Sequence, residues 1–276
     1  MSEVVLLPGD LESAIAARRG ACGVFGRAVR CLTSVGSTND EMLAWAANGA
    51  EPGSLVVADC QTAGRGRSGR EWLSPAGAGI YFSLLMPIVR RADGAPSPWV
   101  TLMAGLAVAT ALRRTTRVGV SLKWPNDLVV VRDADGERHW SKLGGILAEG
   151  VAVGGSLTHV VLGVGVNVAA SALSATRAPR ATSLEREGAV STDRIVMIVE
   201  CLAQLERGSR VLAAGDEARI RAEWEALSPL AQGWPVRRPG DDPLDGVTAG
   251  LDGDGALLLS TPVGRRRIVS GELVWA

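Results

Sequence analysis

The chain has no apolar run approaching the roughly 20 residues that cross a bilayer, which argues against a membrane-spanning helix. Its opening decapeptide, MSEVVLLPGD, lacks the basic start and the apolar length of a secretory signal, so it points to a cytoplasmic protein. Charge of one sign is lacking too: 29 Lys+Arg balance 29 Asp+Glu. A protein that grips nucleic acid by counterion release carries a basic excess, and here the basic character is only local. Four cysteines (Cys22, Cys31, Cys60 and Cys201) are scattered without a CxxC or any metal-ligand spacing, so they read as reduced, mostly buried thiols. The two histidines, His139 and His159, lie too far apart in sequence to suggest a ligand pair. No GxxxxGK[ST] loop exists, so any nucleotide is not held in the Walker manner. Internal repeats and low-complexity tracts are absent as well.

What is present is a chain of 276 residues, 47% apolar, enough for one large domain or one large and one small around a sizeable core. Residues 1–30 suggest one short helix, LESAIAARR, too little for a winged-helix domain. GSTNDEMLAWAANG (36–49) reads as a helix, with Thr38 and Glu41 as a capping box, apolar Met42, Leu43, Trp45 and Ala46, and Gly49 as its end. LVVADC (55–60) and IYFSLLMP (80–87) read as strands. A helix follows with Ser97 as N-cap, Pro98 in its first turn, and Leu102, Leu106 and Thr110 at helical spacing. VSLKWPND (120–127) starts as a strand and stops at a proline turn. LVVV and the segment from Lys142 flank DADGERHW, where Asp135-Gly136 signals a hairpin. GGILAEGVAV and THVVLGVGVNV are further strands, and residues 192–227 carry two helical segments. Beyond Leu230 come short strands: WPVRR, GVTAGLD, GALLLS and RRRIVSG. The order predicts an α+β fold on a mixed or antiparallel sheet, followed by a small all-β barrel.

GRGRSGREW (64–72) allows three readings. Its Gly64-x-Gly66-x-x-Gly69 spacing fits the dinucleotide fingerprint, but the following REWLSPAGAG does not open a helix as that fold requires. Its composition suits a nucleic-acid patch, which the balanced overall charge disfavours. As chemistry, arginines on a glycine-jointed loop can close over an anion, because guanidinium is permanently charged and forks onto carboxylate or phosphate. KWPND (123–127) gathers a lysine, an indole, an amide and a carboxylate at a strand end, where sites are commonly built. Lys142 precedes Gly144-Gly145, which allow a close approach to the backbone beside an ammonium. Taken singly, these residues also fit a solvated loop, a capped turn and a surface lysine.

Ser37-Thr38-Asn39, Gln61-Thr62-Ala63-Gly64-Arg65-Gly66-Arg67-x-Gly69-Arg70-x-Trp72, Lys123-Trp124-Pro125-Asn126-Asp127, Lys142-Leu143-x-Gly145-Ile146-Leu147 and Gly163-x-Gly165-x-Asn167 occur in that order. Together they closely resemble biotin protein ligase, over residues 33–276. The resemblance implies a class II aminoacyl-tRNA synthetase-like ligase domain over residues 1–229 and an SH3-like β-barrel over 230–276. It implies an ATP-dependent ligase that makes biotinyl-5′-AMP from biotin and MgATP, with Mg2+ accompanying the nucleotide and its ligands unassigned. The biotinyl group then passes to a lysine of a biotin carboxyl carrier protein.

By the same resemblance, Ser37, Thr38, Asn39 and Gln61 face the biotin ureido ring and neighbouring groups. Gly64 and Arg65 cover biotin and its carboxylate, Trp72 packs beside biotin, and Gly145 lets its tail lie against a strand. Arg67 and Arg70 address the phosphates. Lys142 contacts both the biotinyl carboxyl and the α-phosphate, so that Lys142, Arg67 and Arg70 are the expected catalytic residues. Asn167 meets adenine, and Ala181-Thr182-Ser183-Leu184 resembles the segment that closes over it. Lys123, Asn126 and Asp127 lie near the phosphates and the incoming lysine, with Asp127 as a metal-side or proton-accepting group.

Two departures stand out. The hairpin between Asp127 and Lys142 is longer than the family often has, which leaves their relative placement open. No N-terminal DNA-binding domain of the repressor kind is recognisable, so neither DNA nor membrane is an expected partner. A lipoate–protein ligase shares the fold and the acyl-adenylate chemistry, but its loop carries adjacent glycines. A nucleic-acid module using the RGR loop is the alternative from another class.

Overall fold

The computed structural model describes residues 8–91, 93–134, 137–173, 180–240 and 243–276. Helices α1 (Pro8–Ala17) and α2 (Arg19–Cys22) precede strand β1 (Ala28–Val35), helix α3 (Thr38–Ala47) and strand β2 (Ser54–Gln61). Next come β3 (Gly79–Pro87), α4 (Val100–Thr116), β4 (Val120–Lys123), β5 (Asp127–Ala134), β6 (Glu137–Val153) and β7 (Ser156–Asn167). These seven strands form one sheet in the order β1-β2-β3-β7-β6-β5-β4. Only β1 and β2 run parallel, and α3 supplies the crossover that a parallel pair demands. All other neighbours are antiparallel, so the sheet is mixed, as expected.

Both faces of the sheet are covered, which explains why β2 and β3 read as continuous apolar runs. Val56, Leu85 and Val161 meet Met42 of α3 on one face. Leu55, Val57, Phe82 and Leu84 join the larger core on the other. There α4 packs against α5 (Arg194–Ala213), with α6 (Glu217–Ala226) behind them. Asp193 and Asp216 cap α5 and α6 by accepting from Val196 N and Arg219 N. The second sheet, order β11-β10-β9-β8-β12, comprises β8 (Gln232–Arg238), β9 (Leu244–Leu251), β10 (Leu257–Thr261), β11 (Gly264–Ile268) and β12 (Val274–Trp275). It shares the larger core, and two indoles tie it down: Trp99 Nε1 donates to Gly253 O at 3.1 Å and Trp124 Nε1 to Gly255 O at 3.0 Å. Among the described residues, no helix is long and apolar enough to cross a membrane.

Several sequence expectations shift. Ser37, not Thr38, caps α3, its side chain accepting from Asp40 N, and this releases Thr38 for the site. The N-cap of α4 is Trp99 and the helix begins at Val100, because Ser97 and Pro98 belong to the preceding turn. β6 starts at Glu137, so Arg138–Ser141 are strand and not loop. Asp135 and Gly136 lie outside the described residues, though Ala134 pairs with Glu137 across them. β1 and β12 were not anticipated: β1 is a partly exposed edge with polar positions, and β12 is two residues long.

Candidate functional site

A cleft of about 600 Å³ opens where the α3 N-terminus, the 61–74 loop, the ends of β4 to β7 and the 271–275 segment converge. The 61–74 loop is itself a small hairpin: Gln61 bridges Ser74 and Arg65 bridges Glu71. Ser68 (φ 56°) and Gly69 (φ 71°) turn the chain back at its tip, and glycine takes that left-handed conformation without steric cost. The dinucleotide-binding reading fails here structurally as well as by pattern, since only a three-residue turn of 3-10 helix lies within the loop.

At one end of the cleft a polar network surrounds the start of α3. Gln61 Oε1 accepts from Thr38 N at 2.8 Å and from Thr38 Oγ1 at 3.1 Å, while Gln61 Nε2 donates to Ser74 Oγ at 2.7 Å. Ser83 Oγ lies 2.8 Å from Thr38 Oγ1 and 2.6 Å from Asn39 Oδ1. Asn39 Nδ2 donates to Glu149 Oε2 at 2.6 Å, and Arg65 binds the same oxygen at 2.7 Å and Asp40 Oδ1 at 2.7 Å. Thr38 and Asn39 are buried, so these bonds fix amides and hydroxyls that would be costly unpaired. Bare backbone makes room for two of the groups: a methyl on Gly163 would overlap Asn39 Oδ1, and one on Gly165 would fall 2.5 Å from Trp72 Nε1.

At the other end cations gather. Lys123 Nζ and Lys142 Nζ each donate to Asp127 at 2.6 Å, one to Oδ2 and the other to Oδ1. The long hairpin therefore brings Asp127 and Lys142 into contact, which its length had left open. Burial alone would push the Asp127 carboxyl up; the two ammoniums outweigh it and hold it below the usual carboxylate range. Burial pulls Lys123 below the usual lysine range, against the attraction of Asp127. Arg67 donates to Asn126 Oδ1 at 3.0 Å, and Asn126 Nδ2 to Ile146 O at 2.8 Å. Arg70 pairs with Glu272. Lys142 Nζ, a member of this cluster, also sits 5.7 Å from the Trp72 ring centroid. Asn167 Nδ2 donates to Thr182 O at 3.0 Å, and Ala181 bridges Lys142, so the 181–184 segment borders the same cleft.

Ser37, Thr38, Asn39, Gln61, Arg65, Arg67, Arg70, Trp72, Lys123, Asn126, Asp127, Lys142, Gly145 and Asn167 all line this cleft. Gly64 does not: its Cβ direction is filled by the Trp72 carbonyl, and Trp72 N donates back to Gly64 O at 2.8 Å. Glu149, Ser83, Glu272 and Trp275 escaped sequence reasoning. An acid inside an apolar strand was a usable signal for Glu149, because such a residue is seldom buried unpaired. Among the described residues, five cations and three carboxylates line the cleft, an arrangement suited to an anionic ligand. The loop arginines are engaged by Asp40, Glu149, Asn126 and Glu272, so the charge of the exposed Arg65 and Arg70 is balanced locally, unlike the open basic face a nucleic-acid module needs. Among the described residues no group of three or more His, Cys, Asp or Glu side chains could hold a metal ion.

Comparison with known proteins gives a consistent result. The biotin/lipoate A/B protein ligase family matches residues 32–167, and the biotin protein ligase C terminal domain matches residues 235–274. The chain is 35% identical over 257 residues to the biotin–[acetyl-CoA-carboxylase] ligase of Mycobacterium tuberculosis, covering 90% of this chain and 89% of that one. It is 31% identical over 250 residues to the enzyme of the same name from Paracoccus denitrificans, covering 88% and 98%. Its fold matches biotin protein ligase from Aquifex aeolicus in complex with biotin and ATP, with a TM-score of 0.74, 29% identity, and 90% and 98% coverage.

Proposed function

The chain belongs to the biotin protein ligase family, and from that premise we propose that this cleft performs both halves of a biotinylation. Biotin and MgATP give biotinyl-5′-AMP and pyrophosphate, and the biotinyl group then passes to one lysine of a biotin carboxyl carrier protein. The observation that carries this reading is the meeting, in one cleft, of a fixed polar network and a cluster of cations, with Lys142 of that cluster beside the Trp72 ring.

In the first half a biotin carboxylate oxygen attacks the α-phosphorus, and the bond to the β-phosphate oxygen breaks. Two anions must approach, and we assign Arg67, Arg70, Lys123 and Lys142 to neutralise them and the charge that grows on phosphorus. Lys142 reaches both reacting groups. In the second half the amine of the carrier lysine attacks the acyl carbon, AMP leaves, and an amide remains; Lys142 polarises the acyl carbonyl. Thr38, Asn39, Gln61 and Ser37 orient the ureido ring, Trp72 and Gly145 flank the biotin body, and Arg65 covers the carboxylate end. Asn167 and the 181–184 segment take the adenine. In place of a metal-side or proton-accepting role, we assign Asp127 as the shared counter-ion of Lys123 and Lys142, since two ammoniums make it a weak base. Gly64 shapes the loop, since its Cβ direction is filled by the Trp72 carbonyl.

Magnesium enters as part of MgATP, carried on its phosphate oxygens. It supplies charge neutralisation on the leaving phosphates. We take residues 1–229 as the ligase domain and 230–276 as the SH3-like one, place the protein in the cytoplasm where carrier and ATP occur, and assign it no operator-binding role. Tight, sequence-specific DNA affinity would remove that last assignment. Isothermal titration with biotin and with lipoate, alongside biotin-dependent ATP–pyrophosphate exchange, tests the whole. Biotin binding with exchange is expected; lipoate binding without biotin binding would overturn it.

A further inference from the structure

Lys123 is held in an unusual way for a buried ammonium. It is 7% exposed, yet among the described residues it donates to a single acceptor, Asp127 Oδ2, so two of its three N–H groups are uncommitted. Two indoles flank it: the Trp140 ring centroid lies 4.8 Å from Nζ and the Trp275 centroid 5.2 Å, and the Trp140 ring also lies 4.8 Å from the Arg180 guanidinium. Ring faces attract a cation without taking its hydrogens in strong bonds, so the charge is retained and the donors stay available. A second carboxylate in their place would neutralise it.

The two rings arrive from different parts of the chain. Trp140 lies on the early part of β6, in the hairpin between Asp127 and Lys142. Trp275 is the penultimate residue and belongs to the second sheet, where β12 holds only two pairs with β8. That short ladder is reinforced at its end by Trp234 Nε1, which donates to Ala276 O at 3.1 Å. Trp275 itself is buried and lines the cleft, and Glu272, three residues before it, pairs with Arg70. The last residues of the second sheet thus touch two cations at the phosphate end of the cleft.

We propose that Trp140 and Trp275 are positioning residues for ATP: they bracket Lys123 and keep its two uncommitted N–H groups directed at phosphate oxygens, which makes β12 a working part of the nucleotide site. The proposal rests on the ligase reading. The rings act through Lys123 and touch no reacting atom, so their contribution falls on nucleotide binding and spares biotin.

The test uses the full chain with Trp275→Leu, Trp275→Phe, Trp140→Leu and Trp140→Phe, measuring KM for MgATP in biotin-dependent pyrophosphate exchange and Kd for biotin by titration. Leucine keeps apolar volume but removes the ring face. Trp275→Leu is expected to raise KM for MgATP about tenfold while biotin Kd stays within about twofold, a size in keeping with a desolvated cation–ring contact. Trp140→Leu is expected to show the same split, and each phenylalanine variant to recover most of the loss. Should Trp275→Leu fail to fold, the Trp140 pair decides, because that ring is only half-buried on a hairpin. Folded leucine variants with unchanged KM for MgATP, or with biotin and ATP weakened equally and no recovery by phenylalanine, would overturn the proposal. An unsubstituted protein that shows no biotin-dependent exchange would instead overturn the ligase reading, and the proposal with it.

Discussion

The indole nitrogen of Trp72 lies against the bare Cα of Gly165, so closely that a methyl group there would come within 2.5 Å of it. That nitrogen is buried and has no hydrogen-bond partner among the described residues. The ring is thus placed by shape, and β7 has given up a side chain to accept it. Gly165→Ala should push the indole into the cleft and lower biotin affinity about tenfold, in line with the ~1–3 kcal/mol of overpacking. Trp72→Phe should leave stability within about 1 kcal/mol of the parent, because losing an unpaired buried donor offsets the smaller ring. Titration with biotin and thermal melts check both; a large stability loss in Trp72→Phe would mean that the N–H has a partner in solution.

Arg67 and Arg65 are two residues apart and engage different ends of the cleft: one bonds Asn126, the other Asp40 and Glu149. Arg67→Ala should lower the rate of adenylate formation about a hundredfold with little change in biotin Kd, because its partner charge develops in the transition state. Arg65→Ala should form adenylate and release it prematurely, since the loop loses its tether to α3 and β6. Single-turnover formation and a chase for free biotinyl-AMP separate the two. Equal effects of both substitutions on formation would refute this division of labour.

The loop's arginines and the KWPND and Lys142 groups were legible because each sits in an unusual local composition beside a strand end. Their partners were not, and the reason is distance along the chain. Asn39 meets Glu149 across 110 residues and Arg65 meets it across 84, through a sheet register that no local pattern encodes. The same holds for Trp275, which reaches Lys123 only because β12 docks beside β8. The strands covered on both faces were easy to read as apolar runs. Edge strand β1, with Arg30, Thr33 and Ser34 in it, carries no such run and went unseen. The cap of α3 falls one residue earlier than the capping-box spacing suggests, because Ser37 and Thr38 are both accepted capping types. What separates them is the sheet, which offers Gln61 and Ser83 to Thr38 alone.

Asp127 holds Lys123 and Lys142 together, each at 2.6 Å. Asp127→Asn leaves two ammoniums facing a neutral amide, one of them buried. Removing one partner from a buried ionic group costs on the order of 3 kcal/mol, and that loss is the expected destabilisation here. Adenylation should fall as well, because Lys142 loses the contact that aims it. A denaturant melt alongside pyrophosphate exchange measures the pair. Asparagine at this position with full stability would show that the two lysines find other counter-charges.

A second buried carboxylate, Glu200, brings a pH dependence of its own, on the face of the sheet away from the cleft. Its oxygens accept from Arg18 at 2.5 Å, from Arg114 at 2.8 Å and from Gln204 at 2.9 Å, tying the end of α1 to α4 and α5. Burial would raise its carboxyl, but bonds from Arg18 and Gln204 and the attraction of both arginines outweigh this and lower it. With the native value depressed, the unfolded state binds more protons in the window between the native and ordinary carboxylate values. Stability from this group is therefore complete above the ordinary range and is lost as pH falls through the native value. Glu200→Gln should cost about 1–2 kcal/mol at neutral pH, less than a fully buried pair because both arginines are partly solvated. The difference between parent and variant should shrink as the solution is acidified below the ordinary carboxylate range. Chemical melts at neutral and acid pH decide it: a gap that stays constant on acidification would show that Glu200 contributes through packing and not through its charge.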